Sequence, residues 1–195
     1  MPFKILAFYL LFLLVNNIAN RYFIIYFGNN YLILNIETFV DFILITLIYF
    51  QLLTEKIIKN AMRIAIPIIL LFYIFNSIFL QPVSITFPGN AMVINKVLFI
   101  ILSLLYFKQM LAEPLEINII KQGNFWFNIA VLLNSTTMFL NDYLVNYYSK
   151  NSVYPVVHYF WNASDMLLNL LLGTAIFIDS SRFNKKLNAH ASHAK

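Results

Sequence analysis

Of 195 residues, 61% are hydrophobic and only 11% charged, with a mean hydropathy of +0.76, against roughly 45–50% and about 25% in soluble globular domains. Such a chain cannot clothe a water-facing domain in polar side chains, which excludes an ordinary soluble enzyme or binding module. The net charge of +5 gathers at the ends of apolar segments, arguing for lipid headgroups and against direct nucleic-acid binding, and the lack of cysteine excludes disulfides, thiolate metal sites and cysteine nucleophiles.

In chain order, the first apolar segment covers residues 3–27 and is interrupted by Asn16, Asn17, Asn20 and Arg21. Lys4 before an apolar run resembles a signal peptide, but no small-residue cleavage site follows, so the segment is expected to be a retained helix. Further spans are predicted at 31–53, 61–80, 91–111, 125–148 and 156–178. Each is close to the ~20 residues that cross a ~30 Å hydrocarbon layer. Inside that layer every backbone amide needs an internal partner, so the segments should be helical despite their β-branched and aromatic content. Gly28-Asn29-Asn30, Gln81-Pro82 and Pro88-Gly89-Asn90 are ordinary turn punctuation. Pro67 is expected within the first two turns of the third span, where a missing amide hydrogen costs least. The fold class is thus all-α: a polytopic bundle of about six membrane helices over residues 1–180, then a basic tail at 181–195.

Basic residues set the orientation. Lys4, the group Lys56, Lys59 and Arg63, then Lys108, Lys121 and the tail residues Arg182, Lys185 and Lys186 fall on one side if six spans alternate. The positive-inside rule then places both termini in the cytoplasm, and the bundle is expected in a bacterial inner membrane. Tyr22, Tyr26, Tyr31, Tyr147, Tyr148, Tyr154 and Tyr159 gather at the opposite interface, as an aromatic belt would, and Trp126 marks the inner one.

Function is expected where ionisable groups enter the spans, because each costs roughly 2.5–3.5 kcal/mol there unless it meets a partner or water. Glu37 and Asp41 share one face of the second span; His158, Asn162, Asp165 and Asn169 form a stripe on the sixth; Asn128, Asn134, Ser135, Thr137, Asn141 and Asp142 lie on the fifth, and Lys96 and Ser103 on the fourth. These stripes should face one another. In the functional reading Lys96 or His158 neutralises Glu37, Asp41 or Asp165 in a polar cavity; in the structural one, amides and hydroxyls merely join helices, at about 0.6 kcal/mol each. Asp142, Lys96 and Arg21 lie near enough to span ends to reach the interface by snorkelling. No metal site or cofactor is expected, since His158 is the one histidine in a span and no phosphate loop, nucleophile elbow or filter sequence is present. His190 and His193 lie in the tail and enclose nothing.

The run Tyr31-Leu-Ile-Leu-Asn-Ile-Glu-Thr-Phe-Val-Asp-Phe, the Asn76-Ser-Ile-Phe-Leu-Gln81 end of the third span, Phe125-Trp126-Phe127 and the asparagine-bearing sixth span resemble a group of uncharacterised small multi-spanning bacterial membrane proteins. In size, composition and span number the chain is also similar to the membrane accessory proteins of type VI-B CRISPR loci, which modulate an RNA-guided RNase. That resemblance implies a non-enzymatic accessory or regulatory protein, self-associating or acting on a cytoplasmic partner through its Lys/Arg loops and tail, and it transfers no site residue. The alternative is a small ion or proton channel, or a solute transporter, using Glu37, Asp41 and Asp165. A lipid enzyme is least favoured, because no nucleophile–base pair or metal set can be assembled.

Overall fold

A computed structural model describes residues 3–112, 119–148 and 154–193, and the side chains among them except those of Phe3, of 146–148, of 154–158 and of 182–193. The described residues form α1 (Phe3–Phe27), α2 (Tyr31–Leu52), α3 (Lys56–Phe75) with a π-helical continuation (Asn76–Leu80), α4 (Gly89–Ala112), a 3₁₀ turn (Ile119–Lys121), α5 (Gly123–Tyr148) and α6 (Tyr154–His193). The fold is an all-helical bundle. Five helices are long and apolar enough to cross a membrane: Lys4–Phe27, Tyr31–Leu52, Lys56–Leu80, Gly89–Ala112 and Tyr159–Ser181.

Local chemistry fixes the ends. Gly28 stops α1 in the left-handed region, at φ 74°, and its amide closes on the Ile24 carbonyl at 3.1 Å, a termination that costs a residue without Cβ very little. Leu53 turns extended after α2 while its amide still reaches Tyr49 O at 2.9 Å. α3 begins at Lys56, five residues before the expected 61, so Pro67 stands in mid-helix rather than in the opening turns. The correction has a simple origin: Lys56, Lys59 and Arg63 can snorkel, and a helix need not wait for the first apolar residue. Beyond Phe75 the helix widens into the π turn, where Gln81 N meets Asn76 O at 2.7 Å and the buried Asn76 side chain bonds to Gln81 and Asn90.

α1, α2, α4, α5 and α6 pack in a closed ring, each on the next, and α6 returns to α1; α3 lies outside, against α2. α3 accordingly exposes Ile57, Ile64, Ile68, Leu71 and Ile74, an apolar stripe suited to lipid. α5 falls short of the apolar threshold met by the other five long helices, being laden with Asn124, Asn128, Asn134, Asn141 and Asp142. Its most extensive contacts are with α6 and α4, which shield the amides and carboxylate that lipid would leave unpaired. The ring has an upper face, carrying the 28–30 and 81–88 connections, and a lower face, carrying 53–55 and the 3₁₀ turn.

α6 is 40 residues long, about 60 Å at 1.5 Å per residue. Residues 182–193 continue it as helix past Ser181, so the expected tail begins as an extension of the last span. Its Arg182, Lys185 and Lys186 side chains lie outside the described ones.

Candidate functional site: an acidic chamber above an apolar floor

Four helices of the ring carry charge into its upper half. Glu37 and Asp41 come from α2, Lys96 from α4, Asp142 from α5 and Asp165 from α6. The charge of Lys96 acts on all four carboxylates, and Glu37 acts on the other three. Glu37, Asp41 and Lys96 stand within electrostatic reach of one another in this placement. Lys96 Nζ donates to Asn134 Oδ1 at 3.4 Å, a long, weak contact that leaves the ammonium shared among the acids rather than docked on one. Four carboxyl groups thus share one ammonium.

α1 supplies the rest of the wall. Asn16 Nδ2 donates to Glu37 Oε2 at 2.6 Å and Asn20 Nδ2 to the same oxygen at 3.3 Å. Tyr9, seven residues below Asn16 on the same face, turns its hydroxyl toward Asp41. The asparagines that interrupt the first segment are thus partners of a charge on the next helix. The other Asp41 oxygen, Oδ1, is buried without a hydrogen-bond partner.

Asp142 requires a correction. Its side chain is fully buried rather than snorkelling, because α5 is the shielded member of the ring. It accepts a bond from Trp161 Nε1 at 3.1 Å, its second oxygen has no partner, and the Trp161 ring packs on Phe87 at 5.8 Å. Lys96 is half-buried and turned inward, which also departs from snorkelling, whereas Arg21 is exposed. On α6 the expected inward stripe is rotated: Ser164, Leu168, Leu172 and Ala175 are buried while Asn162, Asp165 and Asn169 are exposed. Packing against α5 selects the small and apolar residues, and Asp165 is left on the rim of the chamber, near enough for the charges of Glu37, Lys96 and Asp142 to act on it. The side chain of His158 lies outside the described ones.

The acidic cluster is partly enclosed above and closed off below. Glu37, Asp41 and Lys96 are half-buried and Asp165 is exposed. Beneath them Leu6, Ile48, Tyr106, Phe127 and Leu172 fill the ring with almost no exposure. The principal polar feature of this floor is a satisfied triad: Tyr49 Oη lies 2.7 Å from both Ser103 Oγ and Asn128 Oδ1, and Asn128 Nδ2 donates to Ser103 O at 3.1 Å. Comparison with protein-family models, with curated proteins and with solved structures finds no match. The chemistry of the chamber therefore has to speak for the site.

Among the described residues no three acidic or histidine side chains converge as a metal site would require. The carboxylates are spread over three helices, an arrangement that favours cations and protons in their neighbourhood rather than at one coordination point. At the lower face, Lys59 and Arg63 lie over the Phe50 ring at 5.5 and 5.6 Å and Lys56 is exposed, leaving these cations at the membrane boundary.

Proposed function

We propose that the chain is a six-span protein of the bacterial inner membrane with both termini in the cytoplasm, and that its chamber admits a small cation or protons from the outer side as part of a channel or transporter. The upper face is then the outer one. The observation that carries this reading is the gathering at membrane depth of four carboxyl groups about one lysine, whose ammonium makes only a long contact with an amide oxygen. Uncompensated charge in such a place is costly, and proteins retain it where ions pass or bind. α5 completes the sixth span because its polar side faces α4 and α6 rather than lipid.

The test is reconstitution in liposomes with a carbodiimide that labels accessible carboxyl groups. Labelling mapped by mass spectrometry should concentrate on Glu37, Asp41, Asp142 and Asp165, and sodium, potassium or methylammonium should protect them. The paired change Glu37→Gln with Asp41→Asn should insert normally and lose both protection and ion flux. Equal labelling with and without every cation tried would sink the reading.

A second reading has one observation of its own. The helical continuation of α6 beyond Ser181 would carry Arg182, Lys185 and Lys186 on a helix in the cytoplasm, as an accessory protein acting on a cytoplasmic partner would use, including the CRISPR-linked role that the sequence resemblance implies. Deleting residues 181–195 should abolish that role and leave cation protection of the chamber unchanged.

A further inference from the structure

α6 turns two unsatisfied amides away from the ring. Asn162 and Asn169 lie within the span Tyr159–Ser181, Asn169 near its middle, and both are exposed. Among the described residues neither side chain has a hydrogen-bond partner. Hydrocarbon offers an amide nothing to bond to, so an asparagine at this depth calls for a polar group on another helix. Met166 and Gly173 share the face and are exposed, and a Cβ at Gly173 would meet nothing within 4 Å. The ring therefore has no need of this glycine for its own packing, whereas a helix approaching from outside gains by it. The face is also a heptad seam. Asn162, Asn169 and Ile176 recur every seven residues, with Met166, Gly173 and Ser180 between them at alternate steps of four and three. The same register runs into the helical continuation, where it reaches Phe183 and Leu187, the bulky apolar residues of 182–193. Outside the bilayer so short a run draws its helical stability from packing of an apolar side rather than from propensity.

We propose that α6 is the self-association surface of the protein: two copies lie parallel in the membrane, α6 against α6, along the seam from Asn162 to Leu187. A second copy is the occupant that the chemistry of the stripe fits. The bias of basic residues gives every copy one orientation in the bilayer, so their α6 helices run parallel, and about a two-fold axis along the membrane normal each seam residue meets its own counterpart. An amide is donor and acceptor at once. Asn162 and Asn169 can therefore each bond to the same residue of the other copy, which a carboxylate or an ammonium in their place could not do. Asp165 flanks the seam rather than standing on it, within reach of the Lys96 charge of its own ring, so like charges are not set on the axis. Seam asparagines of this kind fix register and copy number in parallel coils. The surface is independent of what the acidic cluster carries.

The chain has no cysteine, so single introduced thiols report the seam directly. In liposomes of the full chain, Met166→Cys should oxidise to a covalent dimer about tenfold faster than Leu167→Cys, which lies at the same depth on the neighbouring face, because a disulfide forms only where Cα atoms come within about 7 Å. Leu187→Cys should likewise outpace Asn188→Cys. The double change Asn162→Leu with Asn169→Leu breaks no bond within the ring; it should lower the dimer fraction at a fixed protein-to-lipid ratio by about fivefold, read by energy transfer between differently labelled copies, with helix content unchanged. Native chain that stays single at that ratio overturns the surface and leaves lipid, or a helix of another protein, against the stripe. Dimers whose Leu167→Cys thiols join as fast as those of Met166→Cys, or dimers undiminished by the double change, overturn it as well.

Discussion

The upper and lower halves of the ring are built from the same five helices and obey opposite rules. Below, Phe127, Ile48 and Leu172 are packed with almost no exposure, and the polar triad is bonded throughout. Above, one oxygen each of Asp41 and Asp142 and the ammonium of Lys96 are left underused. Stability is concentrated in the half packed around the bonded triad, and reactivity in the half where carboxylate oxygens lack partners. A bundle needing only to hold together would gain by making the upper half resemble the lower, since apolar replacements of buried charges are often neutral or stabilising.

This contrast breaks first in the floor. Phe127→Ala removes a fully buried ring that packs at 5.5 Å on Tyr49, and should cost about 3–5 kcal/mol, read as a large fall in the detergent unfolding midpoint. A loss below about 1 kcal/mol would show that the floor is not close-packed. The next effect is that of Lys96→Met, which strands four carboxylates. Breaking a buried pair costs about 3–5 kcal/mol; at a half-open site about 2 kcal/mol is expected. Adding Asp165→Asn should recover part of the loss, with a coupling of about 1 kcal/mol in the double-mutant cycle. Strict additivity would separate Lys96 from Asp165 and dissolve the chamber as a unit.

These partners show what the sequence could and could not disclose. The helical class followed from solvent: no other secondary structure satisfies the backbone of such apolar segments in lipid. Glu37, Asp41 and Lys96 were readable because charge in a span is rare. Tyr9, Asn16 and Tyr49 were not, because nothing in one helix says which helix it will face. Their signal lay in matched seven-residue intervals: Tyr9 with Asn16, Lys96 with Ser103, and Asn128 with Ser135 and Asp142. The rotation of α6 was hidden for another reason. Its outward stripe of Asn162, Asp165 and Asn169 looks like an inner face by polarity, yet Ser164, Leu168, Leu172 and Ala175 win the contact with α5 by shape.

A smaller effect of the opposite sign is expected at Asp142. Replacing it with Asn keeps volume and the possibility of the Trp161 bond while removing a fully buried charge, so stability should rise or stay within about 1 kcal/mol of the native chain, measured by the same unfolding midpoint. Cation protection of the remaining carboxyls should weaken. A loss of several kcal/mol would mean that the charge itself holds α5 to the ring, contrary to the division between the two halves.

The smallest expected change lies at their boundary. Asn134 accepts the weak contact from Lys96 and donates through Nδ2 to Ser164 Oγ at 3.0 Å, joining α5 to α6. An interhelical bond of this kind averages about 0.6 kcal/mol in a membrane, and Ser164→Ala removes it without creating a cavity larger than one oxygen. If the bond only fastens two helices, the midpoint should fall by an amount near that figure and the chamber should protect its carboxyls as before. If Asn134 also holds Lys96 centred among the acids, loosening its amide should alter cation protection more than stability. An unchanged midpoint with altered protection would therefore assign Asn134 to the chamber, and the converse would assign it to the frame.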